Sequence, residues 1–342
     1  MVMQILLAAF GALVITWVGV RLLRRLAPRL GFIDIPNQRS SHRAPTPRAG
    51  GLAFVVVVPL LILATSLWMG VRLLPGEEAL LMGSVVVAAV GLTDDRWGLP
   101  VRLRFAAYLL AAAVLVVGGG YLHELQWPGG PSIYLGWLGI PVTLFWVVGL
   151  TNAYNFMDGI DGIAGVQAVV AATAVGLLAL WQGSPALAIY AWLLTGGVLG
   201  FLCHNWPPAR VFMGDVGSAF LGYTFAGLAV LSDQGAGQPI PLALWVILLA
   251  PFIFDTSVTL VLRVARGERW FEAHRQHLYQ RLTRRGWSHL RVTSIYLCAD
   301  LFLAGVALAH FAFGLDGGSL ALATSLPLAG ILVLVKRVEA KG

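Results

Sequence analysis

Amide and acidic side chains recur at intervals of three in the stretch TNAYNFMDGIDGIAG, residues 151–165. They are Asn152, Asn155, Asp158 and Asp161. Residues three apart on a helix are neighbours, so each side chain could share a ligand with the next. Apolar runs lie on both sides, and acids at a membrane boundary need a cation, a water-filled cavity or a charged partner. The stretch is either a ligand site or a polar turn between two spans, and by itself it favours neither.

Three further acids lie in two other polar segments. Asp94 and Asp95 are adjacent in GLTDDRWG, with Arg102 and Arg104 close behind, and Asp215 precedes an apolar run in VFMGDVGSAF. Adjacent acids raise each other's pKa unless a cation intervenes. An acid pair near fixed cations suits a magnesium–phosphate complex, although a solvated helix end is the commoner arrangement. Asp215 could equally be the N-cap of the following helix.

Two more polar segments offer groups for a phosphorylated ligand. Arg43 and Arg48 could bind a phosphate through charge-assisted hydrogen bonds, or they could simply mark the inner face of a membrane protein. Asn205 and Phe212 supply an amide and an aromatic ring within one short segment.

Two histidines lie in the most basic segment, around HRQHLYQRL. His274 and His277 are three residues apart, but no third metal ligand is near, and the neighbouring arginines disfavour a cation. Contact with a phosphate or a sugar fits this pair better than a metal does. A basic amphipathic helix on anionic lipid is the alternative.

Composition and charge indicate an all-α polytopic membrane protein. Apolar residues make up 58% of the 342 residues, and the mean hydropathy is +0.81. We predict a single integral-membrane domain over residues 1–342 with about eleven helical spans. They are roughly 2–20, 50–69, 79–93, 105–122, 133–151, 163–181, 186–203, 216–231, 240–262, 292–313 and 319–335.

The distribution of basic residues predicts the orientation of these spans. With a retained first span and the N-terminus outside, all the basic residues except Arg72 fall on the inner side. The C-terminus and all the polar segments described above are then cytoplasmic. The formal charge of +7 is an orientation signal, not a sign of nucleic-acid binding. Asp255 and Asp300 lie inside spans, so Asp255 should be paired or face a cavity, and Asp300 is interpreted as structural.

Six segments together resemble a known family. In chain order they are SSHRAPTPRAGG, GLTDDRWG, NAYNFMDGIDGIAG, HNWPPARVFMGDVGS, APFIFDTSVTLVLRVARG and HRQHLYQRL. They are similar to the motifs of the polyprenyl-phosphate N-acetylhexosamine-1-phosphate transferases, glycosyltransferase family 4. That superfamily includes phospho-MurNAc-pentapeptide translocase and the undecaprenyl-phosphate GlcNAc-1-phosphate transferases.

The resemblance implies catalytic and metal-binding roles. Asp94 and Asp95 match the paired aspartates near the lipid phosphate, and Asp215 matches the ligand of Mg²⁺, or of Mn²⁺ in its place. Asp158 would lie beside the metal and the diphosphate as both ligand and catalytic group. His277 matches the leading histidine of the family's histidine motif and is the fourth catalytic candidate.

The resemblance also implies substrate contacts, with Asp161, Asn205 and Phe212 near the uridine. Together with the residues chosen by charge and spacing, the predicted substrate-binding set is Asn152, Asn155, Asp161, Asn205, Phe212, Arg43, Arg48, Arg102, Arg104 and His274.

The implied reaction is attack by an undecaprenyl phosphate oxygen on the β-phosphorus of a UDP-sugar, with release of UMP, at the bacterial inner membrane. Single displacement and an aspartyl-phosphate intermediate both remain open. Where the GlcNAc-1-phosphate transferases have two more histidines, this chain has Tyr279 and Gln280, and His274 replaces an aspartate. We expect a tyrosine there to favour a 6-deoxy N-acetylhexosamine, with UDP-GlcNAc as the alternative donor. Either product would prime O-antigen or another surface polysaccharide.

Two other classes of membrane protein use intramembrane or inner-face acids. A membrane prenyltransferase would show acids four apart in two inner loops, and it leaves the segments around Asp215 and His277 unexplained. An ion-coupled transporter would use Asp255 and Asp300 and would show inverted repeats and helices broken in mid-membrane. The sequence indicates neither class, and membrane lipid, the UDP-sugar and undecaprenyl phosphate are the predicted partners.

Overall fold

The computed structural model describes residues 1–34, 45–233, 239–268 and 274–341. Within these ranges the chain forms α-helices joined by short segments, which confirms the predicted all-α polytopic class. The helices are α1 (Val2–Leu30), α2 (Leu52–Met69), α3 (Pro75–Trp97), α4 (Val101–Val117), α5 (Gly139–Met157), α6 (Ile163–Trp181), α7 (Pro185–Asn205), α8 (Asp215–Asp233), α9 (Leu242–Leu248), α10 (Ala250–Ala265), α11 (Leu278–Arg284), α12 (His289–Phe313) and α13 (Gly317–Ala340).

Two short antiparallel hairpins accompany the helices. β1 (Ile33–Asp34) pairs with β2 (Thr46–Pro47), and β3 (Glu124–Gln126) pairs with β4 (Ser132–Tyr134). Strands of two or three residues cannot form a layer of their own, so both hairpins serve as connections between helices.

The number of spans is close to the prediction. In the described parts of the chain, nine helices are long and apolar enough to cross a membrane, and the pair α9 and α10 makes a tenth, bent span. The helix α4 has 17 residues and occupies the position of the predicted span 105–122. The predicted span 240–262 is not one straight helix, because α9 and α10 meet at an angle of 81°. Pro251 in the first turn of α10 has no N–H to continue the ladder of α9.

The centre of the bundle is formed by α6, α7 and α8. In their most apolar windows 78%, 78% and 89% of residues are buried, whereas only 17% are buried in α13. Glycines allow close approach at this centre. A Cβ at Gly196 or Gly200 of α7 would meet the carbonyl oxygens of Ala9 and Leu13 of α1 at 2.0 and 2.3 Å. Small residues at membrane helix contacts have this use generally.

Helix ends carrying the polar segments meet at one end of the bundle. There α3, α5 and α7 end, and α6, α8 and α12 begin. The side chain of Asp95 at the end of α3 bonds the start of α8, and Asn205 at the end of α7 bonds the start of α6. Segments that are far apart in sequence are thereby brought into one polar region.

Candidate active site

One arginine connects two of the predicted acids. Arg104, in the first turn of α4, places Nη1 2.7 Å from Oδ2 of Asp94 and 3.2 Å from Oδ2 of Asp215. The other oxygen of Asp94 accepts a hydrogen bond from the backbone N–H of Leu99. The guanidinium is about one quarter exposed, so it can still meet an anionic ligand. The structure thus gathers three predicted site residues around one fixed positive charge.

The adjacent acid, Asp95, has a different environment. It is buried, and its two oxygens accept hydrogen bonds from the backbone N–H groups of Asp215 (3.0 Å) and Val216 (3.1 Å). It therefore caps the N-terminus of α8 from another helix, which leaves the carboxylate of Asp215 available. Gly214 has φ 78°, and a Cβ there would lie 2.5 Å from Asp95 Oδ2. These bonds hold the first residues of α8 in place, and the catalytic role predicted for Asp95 stays a prediction.

Asp158 follows the last residue of α5 and lies near the other acids. Desolvation by the surrounding protein raises the pKa of Asp158 well above its usual range, and the charges of Asp215 and Asp95 raise it further. Asn155 lies beside Asp215 and donates to the Ser218 hydroxyl at 3.0 Å. A region where acids oppose one another's ionisation is one that a cation would stabilise.

The side chain of Asn152, the first residue of the spaced series, hydrogen-bonds within α5. Its side-chain amide donates to the backbone carbonyl of Val148 at 2.7 Å. The helical spacing predicted that all four members of the series could share a ligand. The structure brings Asn155 to Asp215, whereas Asp158 and Asp161 lie beyond the end of α5 and no longer follow its spacing.

The donor atoms at this end of the bundle fit a magnesium ion that is shared with a substrate. They are carboxylate and amide oxygens, the ligands that Mg²⁺ prefers. In the described ranges, no three acidic, histidine or cysteine side chains are close enough to hold a metal by themselves. Mg²⁺ commonly takes one or two protein carboxylates and completes its shell with phosphate oxygens and water. Asp215 and Asp158 can supply such a partial set.

Asp161 holds two other segments in place. One oxygen lies 3.1 Å from Nδ1 of His289 at the start of α12, and the other accepts the backbone N–H of Ala209 at 3.0 Å. Burial by itself would raise the pKa of Asp161, but the hydrogen bonds from His289 and Ala209 outweigh it and lower the pKa below its ordinary value. Sequence reasoning missed His289, because nothing in its spacing connects it to an acid 128 residues earlier.

Asn205 makes a similar connection. Its buried side-chain carbonyl accepts the backbone N–H of Gly162 at 2.9 Å, and its amide donates to the carbonyl of Val211 at 2.9 Å. The backbone N–H of Phe212 donates to the carbonyl of Pro47 in β2 at 2.8 Å, and Phe212 is half-buried. Both residues lie in the polar region as predicted, but the contacts of Asn205 position segments of the chain.

The predicted arginines other than Arg104 are distributed unevenly. Arg48 is half-buried, its charge acts on Asp95, and its buried Nε has no hydrogen-bond partner among the described residues. A buried donor without a partner costs free energy, so an anionic ligand there would be stabilising. Arg102 is exposed, and Arg43 lies outside the described residues.

The histidine segment lies against the end of α5. The hydroxyl of Tyr279 donates to the carbonyl of Phe156 at 3.0 Å, and the rings of Phe156 and His277 are 6.2 Å apart. The rings of His274 and His277 are 4.8 Å apart. Burial, with His277 next and the charge of Arg263 after it, lowers the pKa of His274 to about 4, so this imidazole is neutral at pH 7. The structure thus places His277 beside the end of α5, which Asp158 follows.

Tyr279 itself is completely buried. Its hydroxyl also accepts from the side chain of Gln280 at 3.1 Å, and a Cβ on Gly159 would lie 2.1 Å from that hydroxyl. The ring fills the space beside Gly159, where no side chain exists, so this burial gives no support to the expectation that Tyr279 lines a sugar pocket. The sugar that the enzyme uses stays a prediction. Tyr279 and Gln280 bond each other, and Tyr279 bonds the end of α5.

Asp94, Arg104 and Asp215 lie together at one end of a bundle of membrane-spanning helices. This arrangement is typical of an integral-membrane enzyme that acts at the membrane surface. The family profile "Glycosyl transferase family 4" matches residues 78–233. The chain belongs to this family, which confirms the resemblance and sets aside the prenyltransferase and the transporter.

Three relatives document the similarity. The "probable undecaprenyl-phosphate N-acetylglucosaminyl 1-phosphate transferase" of Bacillus subtilis is 30% identical over 87% of this chain and 83% of its own length. The decaprenyl-phosphate N-acetylglucosaminephosphotransferase of Mycobacterium tuberculosis H37Rv is 34% identical over 97% of this chain and 89% of its own length. The undecaprenyl-phosphate alpha-N-acetylglucosaminyl 1-phosphate transferase of Yersinia pestis is 30% identical over 82% of this chain and 77% of its own length.

Proposed function

We propose that this enzyme transfers N-acetylglucosamine 1-phosphate from UDP-GlcNAc to undecaprenyl phosphate at the cytoplasmic face of a bacterial inner membrane. The observation that carries the proposal is the placement of Asp94, Arg104 and Asp215 together at one end of a family 4 bundle. UMP is the second product, and the lipid-linked diphosphosugar would prime O-antigen or another surface polysaccharide.

The acceptor phosphate is proposed to bind near Asp94, Arg104 and Arg48. A phosphate monoester is mostly dianionic at pH 7, because its second pKa is about 6. It can therefore attack without first losing a proton, and the main task of the protein is to hold it. The arginines supply charge-assisted hydrogen bonds for that purpose. The partly exposed guanidinium of Arg104 and the unpartnered Nε of Arg48 support this assignment.

The lipid chain of the acceptor needs an apolar path to this site. Leu260, Val261 and Val264 of α10 are exposed by 43%, 65% and 56%, while Asp255 and Arg263 on the opposite face of that helix are buried. The helix α10 also packs against α5, whose end leads into the site. We propose that the polyprenyl chain lies along this apolar face, with its phosphate at the helix ends.

Magnesium is proposed to bind Asp215 and Asp158 together with the diphosphate of the donor. When bound, the ion offsets the negative charge that develops on the departing UMP. Asp95 contributes by holding the first residue of α8, and Asn155 by its place beside Asp215. Asp161, Asn205 and Phe212 are proposed to support the uridine, with Asp161 and Asn205 fixing the backbone around it.

The proposed sugar is GlcNAc and not a 6-deoxy hexosamine. The relatives are named for transfer of N-acetylglucosamine phosphate, and the burial of Tyr279 removes the reason to expect a 6-deoxy preference. The test is competition between UDP-GlcNAc and UDP-N-acetylquinovosamine, with purified enzyme, undecaprenyl phosphate and Mg²⁺. We expect at least a tenfold preference for UDP-GlcNAc, release of UMP, and loss of both products with EDTA.

The same assay includes its own controls. Omission of undecaprenyl phosphate should abolish UMP release, which separates transfer from hydrolysis. A preference for the 6-deoxy donor would refute the proposed sugar and leave the reaction class intact. Formation of UDP in place of UMP would refute the reaction itself, because attack would then have occurred at the sugar carbon.

A further inference from the structure

Asp255 in α10 is a buried acid that the proposed transfer does not yet use. It has no solvent exposure. Its Oδ1 accepts from the backbone N–H of Leu278 at 2.8 Å and lies 3.2 Å from Nδ1 of His277. Its Oδ2 accepts from the backbone N–H of Tyr279 at 3.2 Å and from the Tyr296 hydroxyl at 2.6 Å. A carboxylate only accepts hydrogen bonds, so it matches this set of partners.

These contacts fix the orientation of one imidazole. Because Asp255 can only accept, Nδ1 of His277 must carry the hydrogen that is shared between them. The second ring nitrogen, Nε2, is on the opposite edge of the imidazole and points away from Asp255. A carboxylate that holds a functional histidine in this way sets both its tautomer and its direction.

Neighbouring groups keep the ring from turning. The Tyr279 ring is stacked on it at 5.9 Å between centroids, with 12° between the planes. Gln280 accepts the backbone N–H of His277 at 3.3 Å, so the residue before α11 is held on its main chain as well. Tyr279 and Gln280 stand where two histidines were expected from the family pattern, so in this chain His277 is the member of that motif that retains an imidazole.

We propose that Asp255 is a positioning residue for the transfer. It holds His277 with the proton on Nδ1, so that Nε2 is the nitrogen presented to the phosphosugar donor. The inference rests on the proposed function, since the contact it prepares is with the UDP-sugar. Asp255 touches no substrate itself and acts through His277.

The first test uses the unaltered protein and needs no turnover. In ¹⁵N-histidine solid-state NMR of the enzyme in lipid, the signal lost in His277→Gln identifies His277. We expect a proton on Nδ1 with a coupling to a carboxylate carbon. A bare Nδ1 in the wild-type enzyme overturns the proposal, whatever the sugar or the activity.

The second test is a double-mutant cycle measured as kcat/KM for UDP-GlcNAc. We expect His277→Gln to lower kcat/KM about 100-fold and Asp255→Asn to lower it about 10- to 100-fold. If Asp255 acts through His277, Asp255→Asn added to His277→Gln should cost less than about threefold more. Tyr296→Phe, which removes one donor to Asp255, serves as a milder second variant in both backgrounds.

Asp300→Asn is the matched control, because Asp300 is also a buried aspartate within a membrane span. It should stay within about twofold of wild type. Additive losses for Asp255→Asn or Tyr296→Phe with His277→Gln, or an equal loss in Asp300→Asn, overturn the proposal. If Asp255→Asn does not fold, the Tyr296→Phe cycle and the NMR signal decide. Inactivity of the wild-type enzyme with every UDP-sugar would instead refute the proposed function and leave the NMR result standing.

Discussion

Two neighbouring aspartates differ in their contacts because an α-helix turns by about 100° per residue. Asp94 faces the guanidinium of Arg104, and Asp95 faces the backbone N–H groups at the start of α8. Adjacent acids look equivalent in a sequence. At the scale of single residues, however, Asp94 pairs with a partly exposed arginine, whereas Asp95 caps a helix terminus.

This difference predicts opposite effects of two matched substitutions. Asp94→Asn should lower kcat at least 100-fold with little change in the melting temperature, because the ion pair with Arg104 is partly solvated. Asp95→Asn should lower the melting temperature by about 2–4 °C or more, because the new amide N–H₂ would face one of the two backbone N–H groups, and an unsatisfied buried donor costs about 1–3 kcal/mol. Thermal unfolding in detergent and turnover are measured on the same preparations. An inactive Asp95→Asn enzyme with wild-type stability would show that Asp95 acts directly on the substrate.

Two residue contacts in the site could not be predicted from the sequence. The acids, Arg104 and the histidines were all expected near one another, and their chemistry was sufficient for that expectation. The capping role of Asp95 depends on where α8 begins in space, and the burial of Tyr279 depends on the missing side chain at Gly159. Neither fact is encoded in the spacing of residues along the chain.

At the scale of elements, the site is assembled by contacts between segments. Asp161 joins the segment after α5 to the segment before α8 and to the start of α12, through Ala209 and His289. The long apolar runs predicted the membrane-spanning helices, but they could not predict these long-range contacts. They also predicted one span where α9 and α10 are separate, because hydropathy is insensitive to a bend at Leu249.

His289→Ala is therefore predicted to weaken donor binding. The variant leaves the half-buried carboxylate of Asp161 with one partner fewer, and the start of α12 is no longer tied to the segment after α5. We expect KM for the UDP-sugar to rise about tenfold while KM for the lipid acceptor changes less than twofold. His310→Ala, at the other end of α12, is the control and should change neither. Equal changes in both KM values would point to general loosening of the bundle.

At the scale of the whole molecule, charge asymmetry predicts an orientation. In the predicted topology all Lys and Arg residues but Arg72 are on the inner side, together with the polar segments. The positive-inside rule therefore predicts that the polar region faces the cytoplasm. The helical fold itself was predictable because lipid leaves backbone groups few alternatives.

Reporter fusions test this orientation. Fusions after Gly183 and Gly317 should be active as periplasmic reporters, and fusions after Gly98 and Gly286 as cytoplasmic reporters. A cytoplasmic signal at Gly183 or Gly317 would invert the arrangement and would place the acids on the face without nucleotide donors.

The close contact between α1 and α7 has a consequence for biogenesis. The backbone of α1 packs directly against Gly196 and Gly200 of α7. The helix α1 can therefore reach its final position only after α7 has been synthesised. The two helices end at Leu30 and Asn205. At about 5–20 residues per second, synthesis of the intervening chain takes on the order of ten to thirty seconds. During that time the first helix lies in the bilayer with α2 and β2 as its earlier-made neighbours, and a chaperone or the insertase has its longest opportunity to act on it.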